Sequence, residues 1–167
     1  EKFIFISSIK KGQKFVLFIG IPSLIGLMFC AEDLISTIFY RGAFTESDVY
    51  SSSYSLIAFS FGLPFFMLMK VLTPAFFARK DTKTPMYVAF VSLVLNASLN
   101  YLLAFTFGLG HVGIAIGSSI AALISVLILE LILFKDGFLK IQSIFNRFNF
   151  MVLTASSALI FFLYFFT

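Results

Sequence analysis

Four long apolar runs, each bounded by charge, leave this chain very few ways to fold. They are Phe15 to Ala31, Tyr54 to Ala78, Met86 to Phe107 and Val112 to Phe134, and a fifth starts near Phe150. A helix rises about 1.5 Å per residue, so even the shortest of the four reaches about 25 Å, close to the thickness of a bilayer's hydrocarbon core. In lipid a helix closes its own backbone hydrogen bonds, which makes it the natural form for such runs. The expected fold class is all-α: a polytopic transmembrane helix bundle of five spans. Composition agrees, with 60% hydrophobic and only 12% charged residues, against roughly 25% charged in a water-soluble domain.

The charges between the runs set the topology. Ten of the twelve Lys and Arg lie at the chain start, in the hinge Arg79-Lys80-Asp81-Thr82-Lys83, or in the segment Lys135 to Arg147. The opposite side carries Arg41 with Glu32, Asp33, Glu46 and Asp48. By the positive-inside rule, residues 1–14, 79–85 and 135–149 are expected on the cytoplasmic side of the membrane. The chain then divides into an interfacial segment (1–14), a four-span unit (15–134), a basic connector (135–149) and a fifth span (150–167). The lysines of the first segment suit a surface helix among anionic headgroups, or an ordinary loop. Leu34 to Tyr40 is too short to return across the membrane and should continue the first helix along the interface, followed by a loop over residues 41–48. In the hinge, Thr84 offers a hydroxyl N-cap and Pro85 suits the first helical position. Glu1 is not a start residue and the chain stops inside an apolar run, at Phe165-Phe166-Thr167. A piece of a larger membrane protein is expected.

Several functions are disfavoured. The basic residues sit in clusters beside apolar runs, so nucleic acid is not an expected partner. The single cysteine, Cys30, excludes an internal disulfide and reads as an inert buried thiol. His111 lies in a short loop with no Cys, Asp or Glu beside it, so no metal site is expected there. No paired carboxylates, Ser/His/Asp set or glycine-rich phosphate loop suits catalysis, and no cofactor is called for.

The polar residues inside the runs are the candidates for function. Lys70 sits within the second run, where an ammonium costs about 2.5–3.5 kcal/mol on insertion scales. Its stem could carry the charge to the headgroups, or the charge could face a wet cavity that takes an anionic ligand. Pro64 and Pro74 bracket it, and broken helices often line transport cavities. Lys70, Arg79 and Asn96 are the candidates for a substrate path. Asn96 and Asn100 are four apart on one helix face. Two roles compete for them: interhelical hydrogen bonding, or coordination of a hard cation with the Ser118 hydroxyl and a carbonyl near Ile114. Gly113-x-x-x-Gly117, extended by Ala121 and Ser125, reads as a seam for close helix packing. Glu130 should lie near the cytoplasmic interface.

Arg41-Gly42-Ala43-Phe44-Thr45, Lys70-Val71-Leu72, Phe77-Ala78-Arg79 and Asp81-Thr82-Lys83-Thr84-Pro85, in this order and spacing, resemble the lipid II flippases of the MurJ (MviN) type. The likeness extends to Gly110–Ser119 and covers about Phe15 to Phe134. It implies a transporter of the multidrug/oligosaccharidyl-lipid/polysaccharide exporter superfamily, with two helix lobes about a cationic cavity. Such a protein moves an undecaprenyl-linked peptidoglycan precursor outward by alternating access. This chain would supply part of the C-terminal lobe, with the missing N-terminal lobe and membrane lipids as its partners. The resemblance also implies a sodium ion near Asn96, Asn100 and Ser118, although the chain departs from the pattern at Asn100, where a carboxylate is expected. Alternatives are an exporter of the same superfamily for another lipid-linked glycan or a drug, a membrane enzyme on polyprenyl-phosphate lipids, and a structural scaffold. The enzyme would need a carboxylate-rich loop, and the hinge has only Asp81.

Overall fold

With no water to bond in lipid, each apolar run must close its backbone hydrogen bonds within itself. A computed structural model describes residues 2–138, and every long element in it is helical. The helices are α1 (Lys2–Phe29), α2 (Ala31–Phe39), α3 (Glu46–Ala78), α4 (Lys83–Tyr101), which runs on into a π-helical turn (Leu102–Thr106), and α5 (Gly110–Lys135). Among the described residues, α1, α3, α5 and α4 with its π turn are each long and apolar enough to cross a membrane. The expected fifth span and residues 139–149 of the basic connector lie outside the described residues.

Four boundaries differ from expectation, each for a local reason. The segment before Phe15 does not lie apart from the first span: α1 is one helix from Lys2 onward. Ile9, Gln13 and Val16, spaced four and three apart, are all buried, so the face that packs begins well before the apolar run does. Helix α3 starts at Glu46, inside the expected loop, because Thr45 and Asp48 form a reciprocal cap. The Thr45 amide donates to Asp48 Oδ2 at 2.8 Å and the Asp48 amide donates to Thr45 Oγ1 at 3.4 Å. In the hinge, Asp81 caps α4 in place of Thr84. Its Oδ1 accepts the Thr84 amide at 3.0 Å, and hydrogen bonds from the Thr84 side chain and amide hold its carboxyl below the ordinary carboxylate range. Pro85 falls in the first turn, where its missing N–H costs nothing, since the first bond of α4 runs from the Met86 amide to the Thr82 carbonyl. His111 belongs to the first turn of α5, not to a loop.

Helix α3 is the axis of the bundle. Helix α1 runs antiparallel along it, with Gly12 against Val71 and Gly20 against Pro64 and Met67. Helix α5 runs parallel to it: Ser119 Oγ donates to the Ala58 carbonyl at 2.8 Å, and Arg79 meets Asp136 further along. That approach needs Gly62, where a Cβ would stand 2.6 Å from Ser119 Oγ and 3.1 Å from its Cα. Helix α4 packs antiparallel on the outer side of α5 and scarcely touches α3. The best-packed core lies at the end of the bundle that carries the hinge, around Leu72, Phe76, Leu129 and Leu133, all fully buried. The small-residue seam of α5 is real: Gly113 lies against the backbone of Leu103 and Ala104, Gly117 against Asn100, and Ala121 and Ser125 are 1% exposed.

Candidate functional site

Lys70 lies on the face of α3 turned away from that core. Phe66, Met69, Lys70, Thr73 and Pro74 recur at three- and four-residue steps and line an open groove of about 420 Å³. Leu68, Leu72, Ala75 and Phe76, on the other side of the helix, are buried. The Lys70 side chain is exposed and has no hydrogen-bond or ion-pair partner among the described residues. Pro74 has no N–H to give the carbonyl of Lys70, four residues back. The groove is therefore an almost wholly apolar wall in which Lys70 and Thr73 are the two polar residues. An anionic headgroup on an apolar tail has the complementary chemistry.

The other polar residues behave differently. Asn96, Asn100 and Ser118 do come together, between α4 and α5. Asn96 Nδ2 stands 3.2 Å from Ser118 Oγ, and the amide ends of Asn100 and Asn96 meet at 2.6 Å. The cluster closes fully with both amides turned. Ser118 then donates to the Asn96 amide oxygen, the Asn96 nitrogen to the Asn100 oxygen, and the Asn100 nitrogen to the Ile114 and Asn96 carbonyls, each 3.2 Å away. Each amide dipole is then used by its neighbours. The cluster brings no negative charge of its own, so these residues do not fit a hard-cation site by themselves. Of the two roles open to the asparagines, this geometry is that of the interhelical clasp.

Arg79 closes α3 at the hinge. Its Nη2 donates to Asp136 Oδ2 at 2.6 Å, and its guanidinium stacks 4.2 Å from the Phe138 ring centroid. It lies nine residues beyond Lys70 and outside the groove lining. Two polar contacts were not legible in the sequence. Gln13 Nε2 donates to Glu130 Oε1 at 2.9 Å, tying α1 to α5, and Asp136 is the partner of Arg79. A glutamine among lysines and an aspartate in a turn carry no periodic signal, so only the helix rotations reveal them.

A scan against known families matches residues 4–167 to the family described as "Lipid II flippase MurJ". The chain belongs to that family. Among curated relatives, a probable lipid II flippase MurJ of Vibrio cholerae is 43% identical over 118 residues, which is 71% of this chain and 22% of that protein. One from Haemophilus influenzae is 41% identical with the same two shares, 71% and 22%. The lipid II flippase MurJ of Thermosipho africanus is 38% identical over 70% of this chain and 24% of its own length. The solved structure titled "Lipid II flippase MurJ, inward closed conformation" matches with a TM-score of 0.78 at 28% identity, over 98% of this chain and 36% of that one. This chain thus spans about a quarter of the length of the curated relatives it matches.

Proposed function

We propose that this chain works as part of a flippase that carries undecaprenyl-linked peptidoglycan precursor, lipid II, from the inner to the outer leaflet of the bacterial inner membrane. The observation that carries the reading is Lys70: a cation with no partner among the described residues, between Pro64 and Pro74 of one continuous helix, on the wall of an open apolar groove. Charge inside a span is expensive unless something uses it. A diphosphate headgroup must exchange its water for cationic and hydrogen-bonding partners as it crosses. Lys70 with the Thr73 hydroxyl supplies that exchange, while Phe66, Met69 and Pro74 receive apolar chain. The names of the relatives support the cargo.

In this reading the hinge and the start of α1 face the cytoplasm, in line with their basic charge. The remaining lobe of the transporter closes the far side of the groove, and alternating access exposes it to each leaflet in turn. The protein is a transporter and makes no covalent change to its cargo. Asn96 serves the path indirectly, by holding α4 on α5.

The test is Lys70→Ala in the full-length protein, assayed for lipid II translocation in reconstituted vesicles. Translocation should fall to background while membrane abundance and unfolding temperature stay at the wild-type level. Normal translocation by this variant would remove Lys70 from the mechanism. Rescue of a flippase-depleted bacterium by the full-length gene tests the cargo separately.

A further inference from the structure

Helices α3 and α5 end in the same way, side by side. The Asp81 amide donates to the Phe76 carbonyl and the Lys80 amide to Phe77, at 3.0 and 2.9 Å. The Phe138 amide donates to the Leu133 carbonyl and the Gly137 amide to Phe134, both at 3.0 Å. Each end is a left-handed C-terminal turn, with Lys80 at φ 59° and Gly137 at φ 71°. The match puts Arg79 and Asp136 at the same position of their caps, which is why their side chains meet.

Their charges are not interchangeable. A cation suits the negative end of the α3 dipole, whereas an aspartate at the end of α5 is disfavoured there unless something offsets it. Arg79 offsets it. The pair is also partly shielded, with side chains 23% and 37% exposed. Arg79 Nη1 is buried without a hydrogen-bond partner among the described residues, which leaves the guanidinium dependent on Asp136 and on the ring face beneath it. Phe138 in turn meets Phe5 of α1 edge-on, 5.5 Å between centroids. One guanidinium thus links α1, α3 and α5 at a single end of the bundle.

We infer that Arg79 is a positioning residue, not a cargo contact: with Asp136 it clasps the hinge end of α3 to α5 and α1. The eight residues Val71 to Ala78, with Pro74 among them, lie between this clasp and Lys70. Because Pro74 removes a helical hydrogen bond there, the clasp sets the rotation of the segment that the groove depends on.

The experiment is a charge-swap cycle in the full-length protein, read by unfolding temperature and by lipid II translocation. Its activity arm rests on the transport reading, and its unfolding arm does not. Arg79→Asp and Asp136→Arg should each lower the unfolding temperature and cut translocation on the order of tenfold, because each swap breaks the pair and sets two like charges side by side. The double swap should return both to within about twofold of wild type, the sign of direct coupling. Arg79→Lys keeps the charge but loses the planar fork and the stacking, and should fall short in rate at unchanged half-saturating lipid II. If the double swap folds and accumulates but stays as inactive as Arg79→Asp, the clasp is overturned in favour of a cargo contact. Unaffected single variants would overturn it too, as would an Arg79→Lys defect confined to half-saturation. Should Arg79→Asp fail to accumulate, Arg79→Gln can be compared with the Arg79→Gln/Asp136→Asn pair. Recovery of the unfolding temperature in the pair supports the clasp, and no recovery overturns it. If wild type itself translocates no lipid II, the transport reading falls and the unfolding cycle still judges the clasp.

Discussion

The amide cluster between α4 and α5 and the Lys70 groove on α3 are both polar patches in apolar helices, and they differ in one respect. Asn96, Asn100, Ser118 and the Ile114 carbonyl satisfy one another. Lys70 has no such partner among the described residues and faces open space. In a solvent that cannot hydrogen-bond, a closed polar set acts as a joint and an open one as a site. Removing a joint should cost stability, and removing a site should cost function.

The sharpest test crosses the two readouts. Lys70→Ala should abolish translocation with the unfolding temperature unchanged, while Asn100→Leu should do the reverse in kind. It strands the Asn96 amide and the Ile114 carbonyl, a loss of about 1–3 kcal/mol, seen as a lowered unfolding temperature. If Asn100→Leu unfolds like wild type yet translocates nothing, the cluster is a site after all and the comparison breaks. Added sodium should leave the unfolding temperature of wild type unmoved, since these residues alone do not fit the ion.

Two smaller effects sharpen the same contrast at the hinge. Lys80 adopts a left-handed backbone that glycine takes without strain, so Lys80→Gly should stabilise by roughly 1 kcal/mol. Gly137 already holds the equivalent place at the end of α5. Denaturation of the two proteins side by side reads the difference, and a loss of stability would mean that the lysine side chain makes a contact of its own. The smallest effect concerns pH. The Asp81 carboxyl is held below its ordinary value, 3.8, by Thr84. Its contribution is therefore present above about pH 4 and lost as pH falls through the lowered folded value. An acid titration of unfolding temperature should show that fall, and Asp81→Asn should flatten it.

Much of this was legible in the chain. The spans, the basic hinge, the outlying Lys70 and the shared face of Asn96 and Asn100 follow from spacing and hydropathy. The Ser118 and Ile114 partners follow because a short connection brings the start of α5 back along α4. Helix starts were less legible. A reciprocal Thr45–Asp48 cap extends α3 into an expected loop, and one buried stripe carries α1 through a cluster of lysines. The partners of Gln13 and Arg79 lie 117 and 57 residues away, beyond the reach of any local pattern.

By itself the sequence determined that the chain crosses a membrane as helices, and which end carries the positive charge. The length and polarity of a run are local properties, and the bilayer responds to them directly. Only the tertiary structure decided which polar groups were left over. The helix rotation that turns Lys70 outward also brings Arg79 onto Asp136, and rotation is set by how glycines and serines on different helices let the backbones approach. That is why two cations nine residues apart, one within α3 and one at its cap, end up as an unpaired side chain on an open groove and an ion pair with Asp136.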